Sequence, residues 1–227
     1  MENRNKKKQE SIDSQKVAGG LAHCCGVSEA FRLKETGNIN LFYGEEWSDL
    51  STLAAYFAYH VATHNKQTSQ SLLEIVGIDE FEFLSNASKN LEVFVTDDCD
   101  SVALVHAAMT MASCGKKDLS IFSTSAPSLK DEDWVKYYQD CLAWQLIRDE
   151  AYTLGKRVGL FLFSTTYGKD TLSHREMSFA NNVIRVTKED DVWSLEYIKC
   201  DSHSLRAKKF SIEEPKGLPS LNCQEIK

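Results

Sequence analysis

The amino-acid sequence predicts an α/β domain with a mainly parallel central sheet that ends in antiparallel strands. Three observations carry this. Short apolar runs alternate with segments of helical periodicity between Asn38 and Ser164. The run Val158-Gly-Leu-Phe-Leu-Phe-Ser164 is uninterrupted, as expected of a strand covered on both faces at the centre of a parallel sheet. Beyond it the pattern changes to short alternating segments joined by polar turns, which read as an antiparallel extension.

Residues 1–16 are polar and aperiodic and read as a disordered basic and polar tail; residues 17–34 read as an N-terminal helical segment. Asn38–Tyr43 reads as a strand. A helix is expected from Leu50 to Thr63, with Leu53, Ala54, Phe57, Ala58 and Val61 on one face. Residues 71–88 read as a short helix carrying Leu72, Leu73, Ile75, Val76 and Phe83. Leu91–Thr96 is a strand, Ser101–Ala112 a buried helix with almost no polar face, and Leu119–Phe122 a strand. The longest helix is expected from Asp131 to Leu154. Asp131, Glu132 and Asp133 suit the positive end of its dipole, and Gly155 supplies a cap. Asn182–Thr187, Trp193–Cys200 and Lys208–Ile212 form the antiparallel strands. Residues 214–227 hold two of the three prolines and read as a flexible tail, which leaves residues 35–213 as one domain.

A chain of 227 residues, 42% hydrophobic and 26% charged, buries a substantial core, which excludes global disorder. No run of 18 apolar residues occurs, and the first ten residues are charged and polar, so neither a membrane span nor a secretory leader is expected. The seven cysteines are odd in number, Cys24 and Cys25 are adjacent, and Cys114 and Cys141 lie in apolar segments. That usage fits a reduced, intracellular protein, nuclear or cytoplasmic. A net charge of -7 argues against one broad basic face for nucleic acid. Lys6-Lys7-Lys8 is the one compact basic run; it reads as a solvated tail, with a localisation signal as its functional alternative.

The stretch from Gly37 to Thr52 has the frame of a phosphate-binding loop with its chemistry removed. A short strand runs into Gly44-Glu45, and the spacing G-x-x-x-x-G-K-[ST] is met at Gly44 and at Ser51, with Thr52 following, but Asp49 and Leu50 stand where Gly and Lys belong. Such a loop works by wrapping backbone N–H groups around phosphates while the Lys neutralises them. Asp49 adds a side chain where the backbone must approach, and sets an anion against an anion. At about 4 Å and a surface-like dielectric that repulsion is roughly 4 kcal/mol, and Leu50 returns nothing.

With these residues in place, the chain resembles the RecA-type ATPase core, and within it the eukaryotic recombinases and their paralogues. Gly37-x-Ile39-x-x-x-x-Gly44-Glu45 is similar to the family's strand and loop entry, and the later elements follow in family order over residues 35–213. In the family the strand matching Leu119–Phe122 ends in a metal-holding Asp; here it ends Ser123-Thr124-Ser125. A competing alignment makes Leu91–Thr96 that strand, ending in Asp97-Asp98. Under either, the Lys is missing, so no enzyme activity and no cofactor in this chain are expected, ATP being held by a partner subunit. Ser164-Thr165-Thr166 fall where the family carries a polar γ-phosphate sensor. The segment from Thr165 to Glu176 matches the family's DNA-contacting loop. There Tyr167 offers a ring for stacking, and Lys169 and Arg175 offer charge; the plain alternative is a solvated loop. The family's Phe-x-x-Ala polymerisation element is absent from the N-terminal segment.

Other groupings are weaker. His23-Cys24-Cys25 lacks a partner at zinc-ligand spacing. Asp97, Asp98 and Asp100 form an acidic cluster, read as the negative entry to the following helix with cation binding as its alternative. Trp134, Tyr137, Tyr138 and Trp144 put aromatics on two faces of the longest helix, more than one covered face requires, which suggests a protein interface. The resemblance implies a non-catalytic paralogue that heterodimerises with another RecA-like protein and binds or remodels recombinase filaments in homologous recombination repair, reaching single-stranded DNA indirectly or weakly, with no membrane association. Two alternatives stand beside it. One is a RecA-like structural subunit of an Elongator-type tRNA-modification complex. The other is a divergent NTPase using Ser51, Thr52 and Asp97.

Overall fold

The structure, a computed structural model, describes residues 38–64, 69–76, 90–96, 118–124, 134–153, 158–166, 172, 174–200, 207–215 and 221–226. The elements are β1 (Asn38–Gly44), α1 (Trp47–His64), β2 (Ser69–Val76), β3 (Leu91–Thr96), β4 (Asp118–Ser123), α2 (Trp134–Thr153), β5 (Val158–Thr165), α3 (His174–Met177), β6 (Asn182–Glu189), β7 (Val192–Lys199), β8 (Lys209–Glu213) and β9 (Asn222–Ile226). They form a nine-stranded sheet in the order β3-β2-β4-β5-β1-β6-β7-β8-β9. From β3 to β6 every neighbour is parallel, and β6 to β9 are antiparallel. The expected class, a mainly parallel sheet with an antiparallel C-terminal extension, is the observed one.

The two faces bury different side chains, as the two-residue period of a strand requires. Along β1, Phe42 faces α1, whereas Ile39, Leu41 and Tyr43 face Cys141, Trp144 and Ile147 of α2. Leu50, Leu53, Ala54, Phe57, Ala58 and Val61 form the stripe by which α1 covers its side of the sheet. Phe42 stacks on Phe163 (centroids 4.8 Å apart) and meets Phe57 edge-on at 5.7 Å. All eight residues of β5 are buried, as its unbroken apolar run predicts.

Several expectations are corrected. The segment from residue 71, expected to be helical, begins as β2. Leu72 joins the α2-side core and Leu73 the α1-side core, so its neighbouring apolar residues serve opposite faces rather than one helical stripe. Residues 214–227 are not simply a tail. After Pro215 and Pro219 the chain re-enters the sheet as β9, pairing Ile212 with Cys223 and Phe210 with Glu225. The helix expected at Leu50 starts three residues earlier, at Trp47. Residues 1–34, Asp97, Asp98, Asp100 and Ser101–Ala112 lie outside the described residues.

At the sheet centre β1 is held between β5 and β6 by buried amides. Asn40 Nδ2 donates to Leu160 O (3.0 Å), and Asn182 Nδ2 donates to Asn40 Oδ1 (2.7 Å). Asn181 closes the start of the ladder: Ile39 N donates to its Oδ1 (2.9 Å), and Asn181 N donates to Ile39 O (2.8 Å).

Candidate functional site

The site with most chemistry lies where β1 meets α1. Only Glu45 and Glu46, both exposed, separate Gly44 from Trp47, so the chain passes from strand into helix without a phosphate-sized loop. Gly44 is required for another reason. A Cβ there would lie 2.8 Å from the backbone oxygen of Val186, so β6 approaches too closely for any side chain. Its carbonyl accepts from Thr166 N (2.9 Å) and Thr166 Oγ1 (3.4 Å) across the end of β5.

The residues that mimic a nucleotide loop are used within α1. Leu50 is buried in the α1-side core. Ser51 Oγ and Thr52 Oγ1 both donate to Ser48 O, at 3.0 and 2.8 Å, the back-bonding typical of hydroxyls inside helices. Asp49 sits in the first turn, where the helix dipole favours an anion.

Opposite Asp49 stands a cation that sequence reasoning missed. Lys188 Nζ lies 3.4 Å from Asp49 Oδ1 and 2.8 Å from Glu214 Oε2, and 4.8 Å from the Trp193 ring centroid. Burial pulls the Lys188 ammonium down, but the Glu214 carboxylate, followed by Asp49, outweighs it and holds the group above its ordinary value. Trp193 also meets Tyr56 edge-on at 5.8 Å. Burial and then Glu214 raise the Tyr56 hydroxyl, against the opposing pull of Lys188. The signal for Lys188 was the alternation Ile184, Val186, Lys188 on β6, which puts it on the core face, paired in register with Trp193.

A cavity of about 240 Å³ opens here, lined by Glu45, Glu46, Asp49 and Glu189 against the single ammonium of Lys188. Four carboxylates around one engaged cation repel phosphate. Among the described residues the ends of β4 and β5 add no carboxylate: Ser123 ends β4 and Thr124 follows it, and Ser164, Thr165 and Thr166 close β5, all buried. Among the described residues no group of His, Cys, Asp and Glu is placed to hold a metal ion, and no helix is long and apolar enough to cross a membrane.

Among solved structures the chain is similar to one described as the structure of a DnaB-like replicative helicase and its interactions with primase. The TM-score is 0.54 and the sequence identity 12%, over 81% of this chain and 57% of that one. The core is RecA-like. This chain spans less than two thirds of that helicase chain, and at such identity the likeness is one of fold. No family model matches the sequence, and no curated protein is similar to it.

On the RecA-like core the remaining candidate residues fall as follows. Tyr167 and Lys169 lie outside the described residues, and Arg175 sits on the four-residue α3, its side chain also outside them. Lys199 Nζ donates to the carbonyls of Met177 and Ala180, tying the end of α3 to β7. Trp134, Tyr137 and Tyr138 lie on α2, with side chains outside the described residues. Trp144 is corrected: it is wholly buried against the sheet beside Cys141 and Ile147, and so does not stand at a surface. Among the described side chains of α2, the exposed apolar ones are instead Leu142, Leu146 and Tyr152.

Proposed function

We propose that this chain is a non-catalytic RecA-like accessory subunit that pairs with a second RecA-like protein and binds or remodels recombinase filaments on single-stranded DNA during homologous recombination repair. The observation that carries the non-catalytic part is the Asp49–Lys188–Glu214 bridge. It fastens the start of α1 to β6 where a nucleotide phosphate would need open backbone N–H groups. The recombinational part rests on the Gly37–Glu45 resemblance. In this reading the RecA-like core serves as a shape that docks against a filament protomer, and the partner holds ATP and supplies most of the basic surface that a chain of net charge -7 lacks. Nucleus and cytoplasm both suit it.

The test has two parts. Titration of the pure full chain with Mg-ATP is expected to show no binding at millimolar nucleotide, and tight binding would restore the NTPase alternative. Affinity purification is expected to return recombinase-like subunits; tRNA-modification subunits in their place would move the assignment to an Elongator-type complex.

A further inference from the structure

We propose that β9 is an exchangeable strap: it leaves the sheet as a unit, bares the outer edge of β8, and there gives way to the β9 of a second copy. The burial of the last strands carries the first step. Phe210 and Ile212 of β8, like Trp193, Leu195 and Tyr197 of β7, lie in the α1-side core. On β9, by contrast, Gln224, Glu225 and Ile226 are all exposed, although successive residues of a strand point to opposite faces. Neither face of that stretch is covered. Among the described side chains of residues 221–226, the buried anchor is Leu221, one position before the strand.

What holds β9 is therefore mainly backbone, and the ladder fixes which groups take part. Across β7 and β8, Tyr197 N donates to Lys208 O (3.0 Å) and Glu214 N donates to Asp191 O (2.7 Å). Bonded positions alternate along an antiparallel pair, so the even-numbered residues of β8 turn to β7. Lys209, Ser211 and Glu213 then turn their N–H and C=O groups to β9, opposite Ile226, Gln224 and Asn222. Two side-chain contacts support this ladder. Lys208 Nζ lies 3.0 Å from Glu225 Oε1, on side chains 39% and 49% exposed, and an ion pair so open to water adds little. Ser211 Oγ donates to Gln224 O at 3.5 Å.

The edge beneath β9 does not depend on it, because β8 is paired with β7 from Lys209 to Glu213 and keeps Phe210 and Ile212 buried. When β9 departs, three N–H and C=O pairs are left in line, a template for another strand. The register of that edge selects the occupant: β9 is the segment whose fit is on view. Delivered by a second copy it makes the same bonds, so reciprocal exchange forfeits no contact. This exchange is separate from the proposed pairing with another RecA-like protein, and either can fail alone: one is read from the pure chain, the other from what co-purifies.

The experiment uses the full chain under reducing conditions. Residue-resolved native-state hydrogen exchange should show the amides of Lys209, Ser211, Glu213 and Gln224 exchanging at least about a hundredfold faster than those of β7. A labelled peptide of residues 220–227 should bind the chain in competition with the resident strand. Gln224→Pro in the chain removes the N–H that meets Ser211 O; it should strengthen peptide binding about tenfold or more, since the tethered competitor is lost. The same substitution in the peptide should abolish binding. At several hundred µM the wild-type chain should form a dimer on sedimentation, and the Gln224→Pro chain should remain a monomer with a nearly unchanged thermal midpoint. Protection of Ser211 and Gln224 equal to that of β7 overturns the proposal, because β9 then opens only with the whole sheet. So does a peptide that the Gln224→Pro chain fails to bind, or a wild-type chain that stays monomeric throughout.

Discussion

Replacing Lys188 by Met keeps an apolar stem against Trp193 and removes only the charge. In the folded chain that charge sits 3.4 Å from Asp49 and 2.8 Å from Glu214, with side chains 18%, 29% and 27% exposed respectively. Exposed ion pairs contribute about 0.2–1 kcal/mol each, and these two are partly sheltered. The ring contact adds about 0.5–1 kcal/mol, so Lys188→Met is expected to cost about 2 kcal/mol at pH 8. For a domain of this size that lowers the thermal midpoint by roughly 4–8 °C. The pH dependence separates this account from one in which the methionine merely packs badly. The folded-state pKa of Lys188 is raised above its ordinary 10.5, so its contribution is fully present below that value and is lost as pH rises through the folded pKa. Urea unfolding of wild type and variant at pH 8 and at stepwise higher pH should therefore show a gap that closes under alkaline conditions. Tyr43, raised chiefly by burial, makes both proteins less stable there alike, whereas Tyr56 in the variant lacks the opposing pull of Lys188, so the gap closes more slowly than Lys188 alone would give. A gap that stays constant to pH 11, or no gap at pH 8, would refute the reasoning.

Gly44→Ala drives a methyl group to 2.8 Å from Val186 O, an atom fixed in a central ladder, and should cost about 2–3 kcal/mol by chemical denaturation; a loss under 1 kcal/mol would mean that β6 yields. Restoring the loop residues with Asp49→Gly and Leu50→Lys should produce no ATP turnover in a phosphate-release assay. It should also lower stability by about 3 kcal/mol or more, because position 50 lies in the core and Lys188 loses a partner. Trp144→Ala should cost about 3–5 kcal/mol in unfolding free energy; a well-folded variant with only weakened association would reinstate Trp144 as a surface anchor.

Local physics made most of the fold legible. β5 declares itself by an apolar run that only double-sided burial explains, and α1 by a stripe from Leu53 to Val61 that emerged buried as read. What local patterns could not settle were choices made by distant partners. Leu72-Leu73 suits a helix or a doubly covered strand, and β3 and β4 on either side decide it. The two prolines before Leu221 conceal a strand whose existence depends on the free edge of β8. The candidate site was half visible. The spacing from Gly44 to Ser51 was visible as an altered loop frame, but spacing alone does not distinguish an open loop from a helix begun early. Lys188 is 139 residues beyond Asp49, and only the parallel β1–β6 pairing brings it there.

The buried amides of β1 bear on how the chain is made. β1 is the first strand described, yet it lies at the middle of the sheet, and its neighbours β5 and β6 begin 120 and 144 residues later. During synthesis Ile39, Leu41 and Phe42 must wait without their final cover until residues beyond Asn182 have emerged, and long-range parallel pairing of this kind is slow. A wrong strand entering the gap leaves Asn40 without Asn182 and Leu160 O, an unmet amide costing about 1–3 kcal/mol. The asparagines thus act as a proofreading step on assembly, rejecting premature closure of the sheet.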